Sequence, residues 1–355
     1  MKILHIITNT ELGGAQRVCI DLCNSATSEG HSVAVASMSG GYLWDQLDSG
    51  VSQYQLNFMV KPIKVKKDIK VLFELKRVIK DFKPDVIHLH SSKAGVLGRV
   101  ASFFHPKRIV YTVHGFDSIR LKYRIFLPLE KILQFFSGAI VGVSQYDKNN
   151  LYSEKITKNV HVIHNGIRTQ ETSVAENFPV EIGSKKIVLT IARISPPKKI
   201  QLFLDVAQQL PEYTFIWIGG DGDSPSGKLN EKYSVPNNVY LLGDIPEASR
   251  FIHLCDLFVL FSNYEGLPMT IIEAMGKKKA IVASNVGGIS ELVDDANGYL
   301  IDNTVDSAVN AIKTILEDTA LRTSMENNSY EKFLNNFTLE KMWKKYKEIY
   351  NSLIK

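Results

Sequence analysis

The chain has 355 residues, of which 45% are hydrophobic, 10% aromatic and 22% charged. It is too long for one ordinary domain and too apolar for a disordered chain, and it suits two domains of roughly 150–200 residues each. The net charge of +5 is uneven: residues 1–167 hold 22 Lys and Arg against 13 Asp and Glu, so the positive surplus lies in the first half.

Lys2–Thr8 has the pattern of a buried strand. A Gly-containing turn follows, then a helix from Ala15 to Ser28. The apolar run at the start is shorter than a signal-peptide core, and no stretch approaches ~20 apolar residues, so neither a leader nor a transmembrane helix is expected. Cys19 and Cys23 lie four apart on that helix and Cys255 stands alone. They read as small buried side chains rather than a disulfide framework, which suits a reducing cytoplasm. His31–Ser37 is β-rich, and Asp68–Phe82 has helical spacing through Ile69, Leu72, Leu75, Val78 and Ile79. Lys83-Pro84 ends that helix, and Asp85–His90, Arg108–Val113 and Ala139–Val143 read as further strands. This alternation predicts a mostly parallel sheet with helices on both faces.

The pattern restarts beyond a polar stretch, Thr169 to Ser184. Strands are predicted at Lys186–Ala192, Tyr213–Ile218, Val239–Leu242, Leu257–Phe261 and Lys279–Ala283, with a helix at Ile200–Leu210. A last helix, Leu339–Ile354, carries Met342, Tyr346, Ile349, Tyr350 and Leu353 on one side, as if to pack back on the first domain. The predicted domains are 1–168 with 338–355, and 169–337.

In open α/β sheets ligands bind where strands end and helices begin. The first such loop, Asn9 to Gln16, holds Gly13 and Gly14 but not the G-x-G-x-x-G fingerprint of dinucleotide binders. His114 follows the strand Arg108–Val113, where a histidine can titrate near neutrality and can donate a hydrogen bond to a sugar hydroxyl. Arg193 and Lys198 lie five apart in a loop stiffened by Pro196 and Pro197, a pair suited to a diphosphate, with Lys199 an alternative. Gly219 and Gly222 flank Asp221 after another strand, where a base or phosphate can approach the backbone. The aspartates there lack the spacing of a metal loop, and no metal is expected.

The most informative segment is Phe261 to Met275. Glu265 and Gly266 lie in its loop, Pro268 reads as an early helical position, and Glu273 falls about one and a half turns into the helix. A carboxylate there suits a vicinal diol such as a ribose, and Glu265 a sugar. Backbone N–H groups of Leu267, Pro268's neighbour Met269, and Thr270 would face an incoming phosphate.

Glu265 and Glu273, spaced E-x7-E within E-G-L-P-M and E-A-M, resemble the signature of the family 4 retaining glycosyltransferases of GT-B fold. Leu12-Gly13-Gly14-Ala15, His88-Leu89-His90, His114-Gly115-Phe116, Val162 to Ile167, Gly219 to Gly222 and Gly287 to Leu292 resemble further segments of that family in order. The resemblance implies two Rossmann-like domains facing across a cleft. It implies that Arg193 and Lys198 bind the donor diphosphate, Glu273 the ribose, and Glu265 the donor sugar. His114 would sit beside that sugar, and Gly14 would let the first loop close on the phosphates. Lys199 departs from the family, which commonly has Gly after the lysine.

The expectation is thus a metal-independent hexosyltransferase without a cofactor. It would move a hexose or N-acetylhexosamine from a nucleotide-sugar, UDP-linked, to a lipid-linked saccharide in capsule, O-antigen or exopolysaccharide synthesis. A nucleotide-sugar epimerase and a non-catalytic sugar-nucleotide or glycan binder are the alternatives. Lys61, Lys64, Lys66, Lys67 and Lys70, together with the basic and apolar segment Ile119–Phe136, suggest peripheral attachment to an anionic inner-membrane surface. Nucleic acid is not expected, since no aromatic strip accompanies the basic residues.

Overall fold

The computed structural model of the chain describes residues 1–11, 13–169, 177–183, 185–221 and 232–354. It divides into two compact units, Met1–Gly166 with Leu339–Lys355, and Ile167–Thr338.

The first unit is built on seven parallel strands: β1 (Lys2–Ile7), β2 (Ser32–Met38), β3 (Ser52–Leu56), β4 (Val86–His90), β5 (Ile109–Val113), β6 (Ala139–Gly142) and β7 (Val160–Val162). They pair in the order β3-β2-β1-β4-β5-β6-β7. The central strands are buried on both faces, which is why they read as unbroken apolar runs rather than alternating ones. Helices α1 (Gly14–Ser28), α2 (Val65–Phe82), α3 (Ser92–Ala101), α4 (Leu127–Leu133) and α5 (Gln145–Ser153) make the connections. On one face, Leu4, Ile6, Ile87, Leu89 and Tyr111 pack with Val71, Leu75 and Val78 of α2 and Leu97 of α3.

The second unit repeats the plan with six parallel strands: β8 (Ile187–Ile191), β9 (Thr214–Ile218), β10 (Val239–Leu241), β11 (Leu257–Leu260), β12 (Ile281–Ser284) and β13 (Gly298–Ile301). Their order is β10-β9-β8-β11-β12-β13, so both units have the doubly wound arrangement that reverses direction beside its first strand. The described helices are α6 (Ile200–Gln209), α7 (Met269–Gly276), α8 (Val305–Glu317) and α9 (Thr319–Asn336). Phe203 of α6 packs edge-on against Phe215 and Trp217 of β9, with ring centroids 5.5 and 5.3 Å away.

The last helix, α10 (Leu339–Ile354), lies on the first unit. Its buried side is Met342, Trp343, Tyr346, Ile349 and Tyr350. Polar contacts fix its register: Trp343 Nε1 and Lys347 Nζ donate to the Glu29 carboxylate at 2.7 and 2.8 Å. Deeper in, the Tyr350 hydroxyl meets His88 Nδ1 at 2.7 Å, and the Tyr346 hydroxyl meets Thr112 Oγ1 at 3.0 Å. His88, Tyr350 and Thr112 are fully buried, so a lost partner leaves a desolvated polar atom. Tyr350→Phe is expected to lower unfolding free energy by about 1–3 kcal/mol in urea titration, the usual cost of orphaning a buried partner. A change within about 0.5 kcal/mol would show that the contact does not anchor the helix.

Candidate active site

In the second unit the site is assembled at the carboxyl ends of β8 and β11, adjacent strands where the winding reverses. The loop after β8 runs from Ala192 to Lys199, and the loop after β11 from Phe261 to Pro268. Two backbone bonds and one from a side-chain amide staple them. Lys199 N donates to Phe261 O at 3.0 Å, Asn263 N to Pro197 O at 2.7 Å, and Asn263 Nδ2 to Pro196 O at 3.2 Å. The two prolines supply carbonyls without needing a partner for an N–H of their own.

This stapling brings Lys198 and Glu265 together. Lys198 Nζ donates to Glu265 Oε1, and the Ser262 hydroxyl donates to the same oxygen at 2.6 Å. Both charged side chains are mostly buried, so the pair is screened far less than a surface ion pair. Lys199 goes elsewhere, its ammonium reaching Asn263 Oδ1 at 3.3 Å. Of the two adjacent lysines, Lys198 is therefore the one that faces the acidic loop. Arg193 is exposed, and among the described residues its guanidinium has no hydrogen-bonded partner.

Pro268 is the N-cap of α7 rather than a helical residue, with extended backbone at φ −69° and ψ 121°. Met269 opens the helix, so the first-turn N–H groups of Met269, Thr270 and Ile271 have no carbonyl within it to bond. Glu273 is the fifth helical residue, half-buried between the buried Ile272 and Ala274. Leu267, Pro268 and Met269 are buried, and Thr270 is partly exposed.

Two glycines hold these loops by close backbone approach. Gly287 has φ +61°, and a Cβ there would lie 1.8 Å from the Glu265 carbonyl oxygen, while Gly288 N donates to Gly266 O at 2.9 Å. Gly219 has φ +132°, and a Cβ on it would lie 2.2 Å from Ala192 O. The side of Gly219 where a Cβ would stand is thus filled by the loop that carries Arg193. Gly222 and Leu12 lie outside the described residues.

Ser262 was not singled out by sequence, and neither was the support behind it. Ser284 Oγ accepts from Ser262 N at 2.9 Å and donates to Asn303 Oδ1 at 2.5 Å, and Asn303 Nδ2 returns to Ser262 O at 2.9 Å. Nothing in the spacing of these residues marks them, since the contact depends on β11 and β12 pairing.

In the first unit, Gly13 is extended at φ 174°, a conformation any residue adopts, and Gly14 is already helical. They open a fifteen-residue helix with no side-chain cap and no acidic residue in its first turn, an arrangement that favours an anion. His114 stands just past β5, with Nε2 3.1 Å from His90 Nδ1. Burial pushes its pKa down to about 4, and burial together with the neighbouring histidines holds His88 and His90 well below the ordinary range.

These histidines are neutral in the fold but take up protons near pH 6.5 when unfolded. Below that value the unfolded chain binds more protons, so the stability they contribute is complete above about pH 6.5 and is lost as the pH falls. The urea midpoint is expected to drop between pH 7 and pH 5, a window above most carboxylate titration. A midpoint that stays level or rises would show that the rings are not held neutral.

Residues 12–171 match the family model described as Glycosyltransferase Family 4, and residues 175–332 match the model described as Glycosyl transferases group 1. The chain belongs to the family 4 glycosyltransferases. An Escherichia coli UDP-Gal:alpha-D-GlcNAc-diphosphoundecaprenol alpha-1,3-galactosyltransferase is 28% identical over 382 residues, covering 100% of this chain and 97% of that protein. The Staphylococcus aureus capsular polysaccharide biosynthesis glycosyltransferase CapM is 22% identical, covering 100% and 98%. The crystal structure of Anabaena HepE in complex with UDP and glucose superposes with a TM-score of 0.83 at 22% identity, covering 99% of this chain and 100% of that one. The fold is GT-B, each unit being one of its Rossmann-like halves.

Proposed function

We propose that this glycosyltransferase moves a hexose or N-acetylhexosamine from a UDP-sugar to a lipid-linked saccharide in surface-polysaccharide assembly, with retention at the anomeric carbon. The observation that carries the donor half is the Lys198–Glu265 contact at the reversal point of the second sheet, directly before the open N-terminus of α7. A departing nucleoside diphosphate develops negative charge. Lys198, the exposed Arg193 and the α7 N–H groups answer it in a preorganised way. Glu273 is assigned to the ribose hydroxyls, Glu265 to the donor sugar, and His114 and the Gly13–Gly14 turn to the donor from the first unit. Two cations and a helix terminus do what a divalent ion does elsewhere, so no metal is assigned. The acceptor reading leans on the relatives, one of which is named for a diphosphoundecaprenol substrate.

A thermal-shift panel of UDP-, GDP- and ADP-sugars should single out a UDP-sugar, since a bound ligand stabilises by RT ln(1+[L]/Kd). With that donor, Glu273→Ala should weaken binding, and Arg193→Ala should cut turnover more than binding. Transfer should survive EDTA. Full activity in both variants would sink the site assignment.

The membrane reading is sharpened by which charges are free. Arg120 is tied to Asp117 at 2.8 Å and Arg124 to Glu154 at 3.1 Å, so the segment Ile119–Phe136 spends its arginines internally while exposing Ile125, Ile132 and Phe135. By contrast Lys61, Lys64, Lys66 and Lys67 are exposed and alternate with exposed Ile63, Val65, Ile69 and Phe73. That strip suits anionic lipid, each cation near the surface adding about 1 kcal/mol. Among the described residues no helix is long and apolar enough to cross a membrane. Cosedimentation with phosphatidylglycerol vesicles is expected, with loss in Lys66→Glu/Phe73→Glu. Equal recovery with phosphatidylcholine vesicles would overturn the assignment.

A further inference from the structure

The loop that carries His114 is held from outside its own strand, by the first turn of α5. Val113 ends β5 in register with Gly142, the last residue of β6. Three residues further on, Phe116 is fixed twice. Its ring belongs to the buried core of this face, with Ile119, Leu127 and Leu151. Its N–H donates to Asp147 Oδ1 at 2.8 Å. Only His114 and Gly115 lie between the two anchors, and Gly115 takes φ +108°, a left-handed conformation that suits glycine. His114 therefore stands on a short span pinned at both ends. Its ring is nearly parallel to that of His90, at 23°.

α5 supplies that second anchor through its cap. The N-cap Ser144 accepts from Asp147 N at 3.0 Å, and its hydroxyl lies 3.1 Å from Asp147 Oδ2. Asp147 is the third residue of the helix, the place where a capping box sets a side chain that turns back on the cap. Here the carboxylate also reaches out of its own helix, to the Phe116 N–H. Gly142 permits the close seat, since a Cβ there would lie 3.3 Å from Asp147 Cβ. One residue earlier, the Tyr146 hydroxyl donates to Asp117 Oδ2 at 2.9 Å, while Arg120 Nε and Nη2 donate to Asp117 Oδ1 at 3.0 and 2.8 Å. Two neighbouring residues of α5 thus grip two neighbouring residues of the loop. Phe116 and Asp147 are both almost fully buried, where a hydrogen bond to a carboxylate is stronger than one to a neutral acceptor. Capping α5 does not require that bond, because the Ser144 hydroxyl already takes a first-turn N–H.

We propose that Asp147, with Tyr146 beside it, is a positioning residue for glycosyl transfer, and that it fixes the His114 imidazole through its bond to the Phe116 N–H. The inference rests on the reading of His114 as the group beside the donor sugar, and neither α5 residue touches substrate. Without Asp147 the Phe116 N–H loses its carboxylate, and the span can turn about Gly115. The imidazole is then no longer delivered to one position, and a displacement of about 1 Å costs on the order of 100-fold in rate. The loss falls on the reacting arrangement more than on donor affinity, because the diphosphate and ribose contacts are assigned to the second unit.

The test is a double-mutant cycle on the full chain. The readout is UDP release, with water as the acceptor, from the UDP-sugar that gives the largest thermal shift. Asp147→Ala is expected to lower kcat roughly ten- to 100-fold while the donor KM changes by less than about twofold. Asp147→Asn keeps an oxygen for the Phe116 N–H and should restore most of the rate. In a His114→Ala background Asp147→Ala should cost nothing further, since a group that acts through His114 has nothing left to position. Exchange of the Phe116 amide hydrogen should be slow in wild type and in Asp147→Asn, and fast in Asp147→Ala. If Asp147→Ala does not fold, Tyr146→Phe, which leaves Asp117 paired with Arg120, enters the same cycle with a smaller expected loss. Additive losses would overturn the proposal, because they belong to a role confined to capping. So would a loss that Asp147→Asn fails to repair, or an unchanged kcat in Asp147→Ala where His114→Ala is impaired. A His114→Ala variant at the wild-type rate would instead remove the reading of His114 itself, and this consequence with it.

Discussion

Parallel pairing is the constraint on which the rest of this molecule depends. A parallel strand must be followed by a crossover, and the crossover helix covers a face of the sheet, so the inner strands are buried on both sides. Polar chemistry is then expelled to the strand ends, or must be fully partnered where it stays inside. Both outcomes are visible. In the second unit Lys198, Ser262 and Glu265 gather past the ends of β8 and β11, at the one place where neighbouring crossovers leave in opposite directions. In the first unit His5, His88, His90 and Thr112 stay within the layer, and the two tyrosines of α10 help partner them.

That contrast explains what could be read from sequence. The inner strands were legible because burial on both faces produces continuous apolar runs, and α10 was legible because one side of it is apolar at helical spacing: Met342, Tyr346, Ile349 and Tyr350 are buried as expected, while Trp343 was missed and Leu353 is only partly buried. The strands β3, β7 and β13 were not. Ser52–Leu56 reads S-Q-Y-Q-L and is mostly exposed, since it closes an edge of the sheet and buries little. Val160–Val162 is a three-residue edge with His161 outward. For such strands, pairing to a neighbour replaces the apolar signal, and the neighbour is distant in sequence.

Within the site, single residues were legible where a motif carried them, and contacts were not. Glu265 and Glu273 stood out through their spacing around a helix start. That Lys198 and not Lys199 turns toward Glu265 follows from the bonds of Lys199 N to Phe261 O and of Asn263 to Pro197 and Pro196, which set the twist of the loop. Gly219 shows the reverse case. Its residue type allows close backbone approach, and on its Cβ side the group that lies close is Ala192 of its own unit. A glycine reports that something lies close without saying what.

The Lys198–Glu265 contact also bears on how the site can work. Two mostly buried opposite charges cost desolvation, and the pair is maintained only while each compensates the other. In the proposed donor complex, a diphosphate beside Lys198 would compete for the ammonium with a carboxylate that has a second donor, Ser262, already in place. Glu265 can therefore give up part of its hold on Lys198 without becoming an unpartnered buried charge, and its freed acceptor capacity can turn to sugar hydroxyls. Ser262 is in turn held by Ser284 and Asn303, so the compensation is built into the strand ends before any ligand arrives. Under the proposed site assignment the ion pair is thus an exchangeable contact, to be divided between phosphate and sugar, and the rigid part of the site is the hydroxyl network behind it.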